Sequence, residues 1–261
     1  PPRSPTSPAL EQAERLEDAM VHFREATEHL KAYHFDQAEE RAKAALEAYP
    51  RMAAAQRLLG LIHLQQGRLD RSVALLEESL RTEPFHPEAL SNLAFAYFQL
   101  DNRGVALELI ETCRRLNPDY KPALLQQGLI LLAGPITPET IEILQQAVTT
   151  FPNMPSTRNN LAVAYARQGD YTAAREQLQT ILTFAPNDFP ALFNMGGLAA
   201  KETNAVEAVT WLRQAMDHTT PTEFQRYLSD PDLDPIRDTP EYQTFLEELD
   251  PLLPIPHPAP R

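Results

Sequence analysis

A chain of 261 residues with 43% hydrophobic content can bury a sizeable core, as one domain, as two, or as a linear array of repeats. Its formal net charge of −13 argues against nucleic acid as a partner. No apolar run approaches the roughly 18 residues that a membrane-spanning helix needs. The single cysteine, Cys113, cannot form an internal disulfide.

The chain begins Pro1-Pro2-Arg3, with neither a Met nor an apolar leader, so it is processed or trimmed. Its compartment is left open: cytoplasmic, or periplasmic or membrane-associated if a signal or anchor came first. Residues 1–8, PPRSPTSP, read as a disordered leader. From about residue 9, Leu10, Ala13, Met20, Phe23, Thr27 and Leu30 recur at three- and four-residue steps, the period of one helical face. That predicts either one long helix over 9–33 or a short separate helix before residue 19.

Prolines then fall at Pro50, Pro84, Pro118, Pro152 and Pro186, each 34 residues after the last. If each unit is numbered so that this proline is position 32, position 8 reads Ala26, Gly60, Ala94, Gly128, Ala162 and Gly196. Positions 20 and 27 are also small, with Ile181 the bulky exception. Small residues at these places let two antiparallel helices approach closely. The units lie near 19–52, 53–86, 87–120, 121–154, 155–188 and 189–222. In the first, the second helix is expected from about Asp36, capped by that aspartate. In the second, Gly67 supplies a left-handed turn residue. In the fourth, Gly134-Pro135-Ile136-Thr137-Pro138 is a different turn of equal length, with Gly134 ending one helix and Thr137-Pro138 opening the next.

The sixth unit ends at Thr220-Pro221, out of register. Residues 223–250 read as acidic capping helices, the last opened by Thr239-Pro240 with Tyr242, Phe245, Leu246 and Leu249 on one face. Residues 251–261 are a proline-rich tail. Residues 217–261 hold ten acidic side chains against Arg226, Arg237 and Arg261, more than half of the net charge.

A 34-residue period with small residues at 8, 20 and 27 and proline at 32 resembles the tetratricopeptide-repeat family over about 19–222. The segment Asp230–Asp238 is also similar to segments that follow the last repeat in such proteins. The resemblance implies an all-α, right-handed superhelical solenoid of about six helix-turn-helix repeats with a C-terminal cap. It also implies a concave groove lined by positions 2, 5, 6, 9, 12 and 13 of each first helix. Position 6 reads Arg24, Leu58, Asn92, Gln126, Asn160 and Asn194, with Asn159 beside it at position 5. An amide offers both a donor and an acceptor to a peptide backbone, so these resemble an asparagine ladder. Basic residues at the lining positions are Arg24, Lys31, Arg57, Arg167 and Lys201, against Glu88 alone. Phe95 and Phe193 are expected as apolar anchors, as are Phe23 and Phe98. Family members that hold chaperone C-terminal carboxylates carry Lys and Asn at positions 5 and 9 of their first unit. Phe23 and Thr27 stand there in this chain, so that partner class is not expected.

Chemistry beyond binding finds no support. His22 and His29 lie two helical turns apart, about 10 Å, too far for one ion. Asp230, Asp232, Asp234 and Glu241 have calcium-loop spacing, but Pro235 stands where that loop needs glycine. No metal, cofactor or catalytic group is expected. The reading is therefore a non-catalytic scaffold that binds an extended polar or acidic segment of another protein. The alternatives are self-assembly into homo-oligomers through the groove or the N-terminal helix, and a binding part of a larger enzyme.

Overall fold

The computed structural model describes residues 8–249. The expected leader lies outside these residues apart from Pro8, and the proline-rich tail lies outside them entirely. Among the described residues there is no strand. The helices are α1 (Pro8–Lys31), α2 (Phe35–Ala48), α3 (Ala53–Gln65), α4 (Leu69–Thr82), α5 (Pro87–Gln99), α6 (Arg103–Leu116) and α7 (Pro122–Leu132). They continue as α8 (Pro138–Thr150), α9 (Pro155–Gln168), α10 (Tyr171–Phe184), α11 (Phe189–Lys201), α12 (Ala205–Met216), α13 (Pro221–Tyr227), a 3₁₀ segment Pro231–Ile236 and α14 (Pro240–Leu249). The chain divides into two compact units between Leu131 and Leu132.

Each repeat ends for the same local reason. Proline disfavours helical backbone in the residue before it. Tyr49, Glu83, Asn117, Phe151 and Ala185, each just before a position-32 proline, share φ between −128° and −137°. The turn inside each repeat has its own device. Tyr33, Gly67, Asp101, Gly169 and Thr203 all hold φ between +59° and +81°, and all stand at position 15. The two glycines take it at no steric cost and Asp101 tolerates it, whereas Tyr33 and Thr203 take the left-handed conformation against their side chains. Position 15 of the fourth repeat is Pro135, whose ring forbids that conformation. The turn is rebuilt around Thr137, which makes a capping box with Thr140 at the start of α8. Gly134, expected to end α7, is not left-handed.

In the first unit, α1 is one continuous helix and packs along α2, α3 pairs with α4, and α5 with α6. The expected cap of α2 is corrected: the helix starts at Phe35 after His34, and Asp36 lies inside its first turn. Small residues at position 8 set the helix spacing. A Cβ on Gly60 would lie 2.9 Å from Leu76 Cγ, closer than packed carbons approach, and Leu76 is fully buried. Ala94, Ala106, Ile110 and Cys113 continue the core, with Ile130 of α7. Burial pushes the Cys113 thiol up to about 11, which keeps it protonated and inert. Where α2 meets α3 and α4, the nearly buried Glu39 carboxylate takes Lys43 at 2.6 Å and Arg68 at 2.7 Å. Burial opposes its charge, but hydrogen bonds from Lys43 and Gln66 and the charges of Lys43 and Arg68 prevail, lowering its pKa to about 2.

In the second unit, α9 pairs with α10 and α11 with α12. Ile181, the bulky position-27 residue, is fully buried among Ala162, Leu178 and Met195. The C-terminal elements close this unit. Phe224, Leu233, Ile236, Tyr242, Phe245 and Leu249 are buried against α11 and α12. Thr220 opens α13 with a capping box to Glu223.

Replacing the exposed Thr203 by glycine removes a side chain from left-handed backbone, against a smaller entropy cost in the unfolded chain. Thr203→Gly is expected to stabilise the protein by about 0.5–1 kcal/mol in urea denaturation, whereas a loss would contradict the strain. Glu39 titrates near 4.5 when unfolded and near 2 when folded, so its contribution is complete above pH 4.5 and is lost as pH falls towards 2. Lys43 and Arg68 are about half exposed, which discounts that contribution to about 2 kcal/mol. Denaturation of Glu39→Gln beside the parent chain should show this difference at pH 7 and a narrowing gap between pH 4.5 and 2.

Candidate functional site

The site is read from the exposed sides of the first helices, each unit taken separately. In the first unit, Arg24 is exposed and its Nε donates to the Met20 carbonyl at 3.3 Å. Lys31 pairs with Glu28 at 2.9 Å. Arg57 is largely covered and pairs with Glu83 at 2.6 Å. Burial first, and then the Arg57 guanidinium, lowers the pKa of the neighbouring His86. Ser91 Oγ donates to Gln126 Oε1 at 2.5 Å, so the Gln126 carbonyl is already engaged. Phe95 is half-buried, its ring tilted against Phe98 at 6.4 Å. Asn92 is half-buried, and its amide has no hydrogen-bond partner among the described residues.

In the second unit, Asn194 Nδ2 donates to Asn159 Oδ1 at 2.7 Å. Asn160 is half-buried and, like Asn92, unpartnered among the described residues. Arg167 donates to the carbonyls of Leu132 and Gly134, the latter at 2.8 Å. Lys201 pairs with Asp232 of the 3₁₀ segment at 2.8 Å. A slot of about 40 Å³ opens between α9 and α11, lined by the apolar Ala162, Ala166 and Leu198 and by Arg167, Asn194, Lys201 and Asp232.

Two expectations are corrected. Phe193 is not an anchor for a ligand: it is 4% exposed, covered by Phe224 and Tyr227 of α13 with ring centroids 6.3 and 5.4 Å away. The first turns of the cap lie over this face because Phe189 and Phe193 offer apolar area there. The basic lining is also reduced. Lys31, Arg57 and Lys201 are neutralised by Glu28, Glu83 and Asp232, none of which stands at a lining position. Counting only lining positions missed acids that reach in from position 10, from the inter-repeat turn and from the cap. Glu83 was within reach of sequence reasoning, since it directly precedes Pro84. Asp232 was not, because nothing local aims the cap at α11.

The Asp230–Asp234 spacing has a structural explanation. Asp230 caps the 3₁₀ segment at Asp232 N, Asp232 takes Lys201, and Asp234 takes Arg237 at 2.6 Å. Among the described residues no group of three His, Cys, Asp or Glu is placed to hold a metal ion. No described helix is long and apolar enough to cross a membrane.

Family models for the tetratricopeptide repeat match residues 23–87, and again 63–128 and 137–202. The chain belongs to the tetratricopeptide-repeat family. Its repeats are protein-interaction modules, stacked so that neighbours build an all-α solenoid. Among solved structures, that of Pseudomonas aeruginosa PilF is similar with a TM-score of 0.68 at 17% identity, covering 90% of this chain and 99% of that one. YrrB, described as a tetratricopeptide-repeat protein with an unusual peptide-binding site, has a TM-score of 0.57 at 20% identity, covering 70% and 94%. At these identities the likeness is one of fold. The mouse (Mus musculus) BBSome complex member BBS4 is 25% identical over 139 residues, 53% of this chain and 27% of BBS4. The chain spans about a quarter of the length of the curated relatives it matches.

Proposed function

We propose that this tetratricopeptide-repeat chain is a non-catalytic adaptor that holds an extended polar segment of another protein against its first-helix faces. The observation that carries this reading is the pair Asn92 and Asn160. Both stand at position 6, half-buried, with amides that no described residue satisfies. A half-buried amide open to water and without a partner in the chain can exchange that water for a peptide N–H and C=O together. The helices that present them are packed in advance, so little ordering cost falls on the protein. Gln126, Asn159 and Asn194 serve instead as rigid neighbours, their amides engaged within the chain. Arg24 and Arg167 are the cations of the original set without a carboxylate partner among the described residues, which favours acidic groups in the bound segment.

Partners captured on the immobilised chain and quantified by mass spectrometry should fall about tenfold for Asn92→Ala/Asn160→Ala, an effect of one to two good hydrogen bonds. Partners retained at parental levels by the double variant would end the amide reading.

A second reading, self-assembly through α1, is favoured by Leu16 and Met20, which lie four residues apart and are 39% and 49% exposed. Sedimentation should then show an oligomer that Leu16→Asp/Met20→Asp reduces to monomer. A parent chain that is already monomeric at 100-fold the working concentration would remove this reading.

A further inference from the structure

The slot of the second unit has a chemistry more specific than that of the faces around it. Part of its lining is apolar and its volume of about 40 Å³ holds about three water-sized groups, the bulk of a valine side chain. It exists because α9 carries Val163 and Ala166 at repeat positions 9 and 12. On α5 the same two positions are Phe95 and Phe98, whose rings occupy that surface. On α11 they are smaller still, Gly197 and Ala200, but there the 3₁₀ segment lies across the helix. Asp232 Cβ sits 3.5 Å from where a Gly197 Cβ would be, at ordinary packing distance. An opening between small residues is thus left at α9 and closed beyond it.

The two cations that line the slot are held differently. Arg167 is held by the carbonyls of Leu132 and Gly134. Two of its five N–H donors are used, and no described carboxylate neutralises it. Lys201 is spent on Asp232. That carboxylate is carried on a segment that cannot swing away without exposing Leu233 and Ile236, both fully buried. Arg237 pins the same segment through the carbonyls of Leu228 and Asp230. An anion is therefore attracted to Arg167, whereas the Lys201–Asp232 pair is close to neutral. In an extended chain, side chains two residues apart point the same way about 6.6 Å apart, so one can enter the slot while the other meets Arg167 in its lining.

We infer that this slot is a specificity pocket for a short aliphatic side chain borne two positions from a carboxylate on an extended segment of a partner protein, with Arg167 binding the carboxylate. The inference rests on the groove-binding reading above and gives it a sequence preference.

The test is fluorescence anisotropy of the full chain with labelled peptides of one Gly/Ser background carrying Val-Ser-Glu, Val-Ser-Lys or Trp-Ser-Glu. The Val-Ser-Glu peptide should bind about tenfold more tightly than either of the others. Val163→Phe, which places the residue of α5 in the slot, and Arg167→Ala should each remove about that factor. Lys201→Ala, which leaves the Asp232 carboxylate unpaired in the slot lining, should weaken binding of the Val-Ser-Glu peptide. Far-UV circular dichroism and an unchanged thermal transition exclude misfolding, and Arg167→Lys gives a second measure by keeping charge without the fork. Equal binding of the three peptides, no binding of any at millimolar protein, or indifference to both Val163→Phe and Arg167→Ala overturns the pocket. Binding that ignores those two changes yet falls in Asn92→Ala/Asn160→Ala overturns the pocket while leaving the groove reading in place.

Discussion

The backbone exit at position 31 is the constraint from which the rest of the structure follows. A proline one residue later keeps that residue out of the helical region, and it does so at Tyr49, Glu83, Asn117, Phe151 and Ala185 with φ between −128° and −137° and ψ between 65° and 90°. Each second helix therefore stops at the same phase, and each following first helix begins with the same face towards its predecessor. Position 8 then meets position 24 in the second and sixth repeats, Gly60 against Leu76 and Gly196 against Leu212. Position 6 returns to the exposed side, where Asn92 and Asn160 stand in their separate units. The amides are placed by Pro84 and Pro152, each eight residues before its asparagine.

Acidic composition and basic lining are reconciled by where the ion pairs form. The chain carries −13 overall, yet its first helices collect arginines and lysines at lining positions. Several of those cations serve the fold rather than a ligand. Arg57 joins the first helix of one repeat to the turn before the next through Glu83, and Lys201 ties α11 to the cap through Asp232. Such part-exposed pairs contribute little stability singly but fix orientation. Arg167 is different, because carbonyls hold it without neutralising it. The proposed binding role rests on such distinctions between side chains of the same charge.

The cap shows how an end of a repeat array is solvated. The last repeat would expose the apolar sides of α11 and α12, and the cap buries them under Phe224, Leu233, Ile236, Tyr242 and Phe245. In doing so it also crosses onto the first-helix face, covering Phe193 and Gly197. The cap is at once a stabilising element and the wall that ends the slot beside α9.

What the sequence by itself determined was everything carried by local backbone preference and by periodicity. Proline at position 32, small residues at position 8 and threonine before proline at residues 137, 220 and 239 act over a few residues, so their consequences are visible without coordinates. Helix order, repeat register and the membership of position 6 followed from them. The left-handed turns at Tyr33 and Thr203 were not visible, since those residues do not prefer that backbone and the packed hairpin imposes it. Nor was the fate of each lining residue. Whether Asn194 faces Asn159 or a ligand, whether Lys201 is free or paired, and whether Phe193 is an anchor or core depends on partners 31 to 35 residues away. Only the tertiary structure decided these, because burial and charge pairing are properties of neighbours in space.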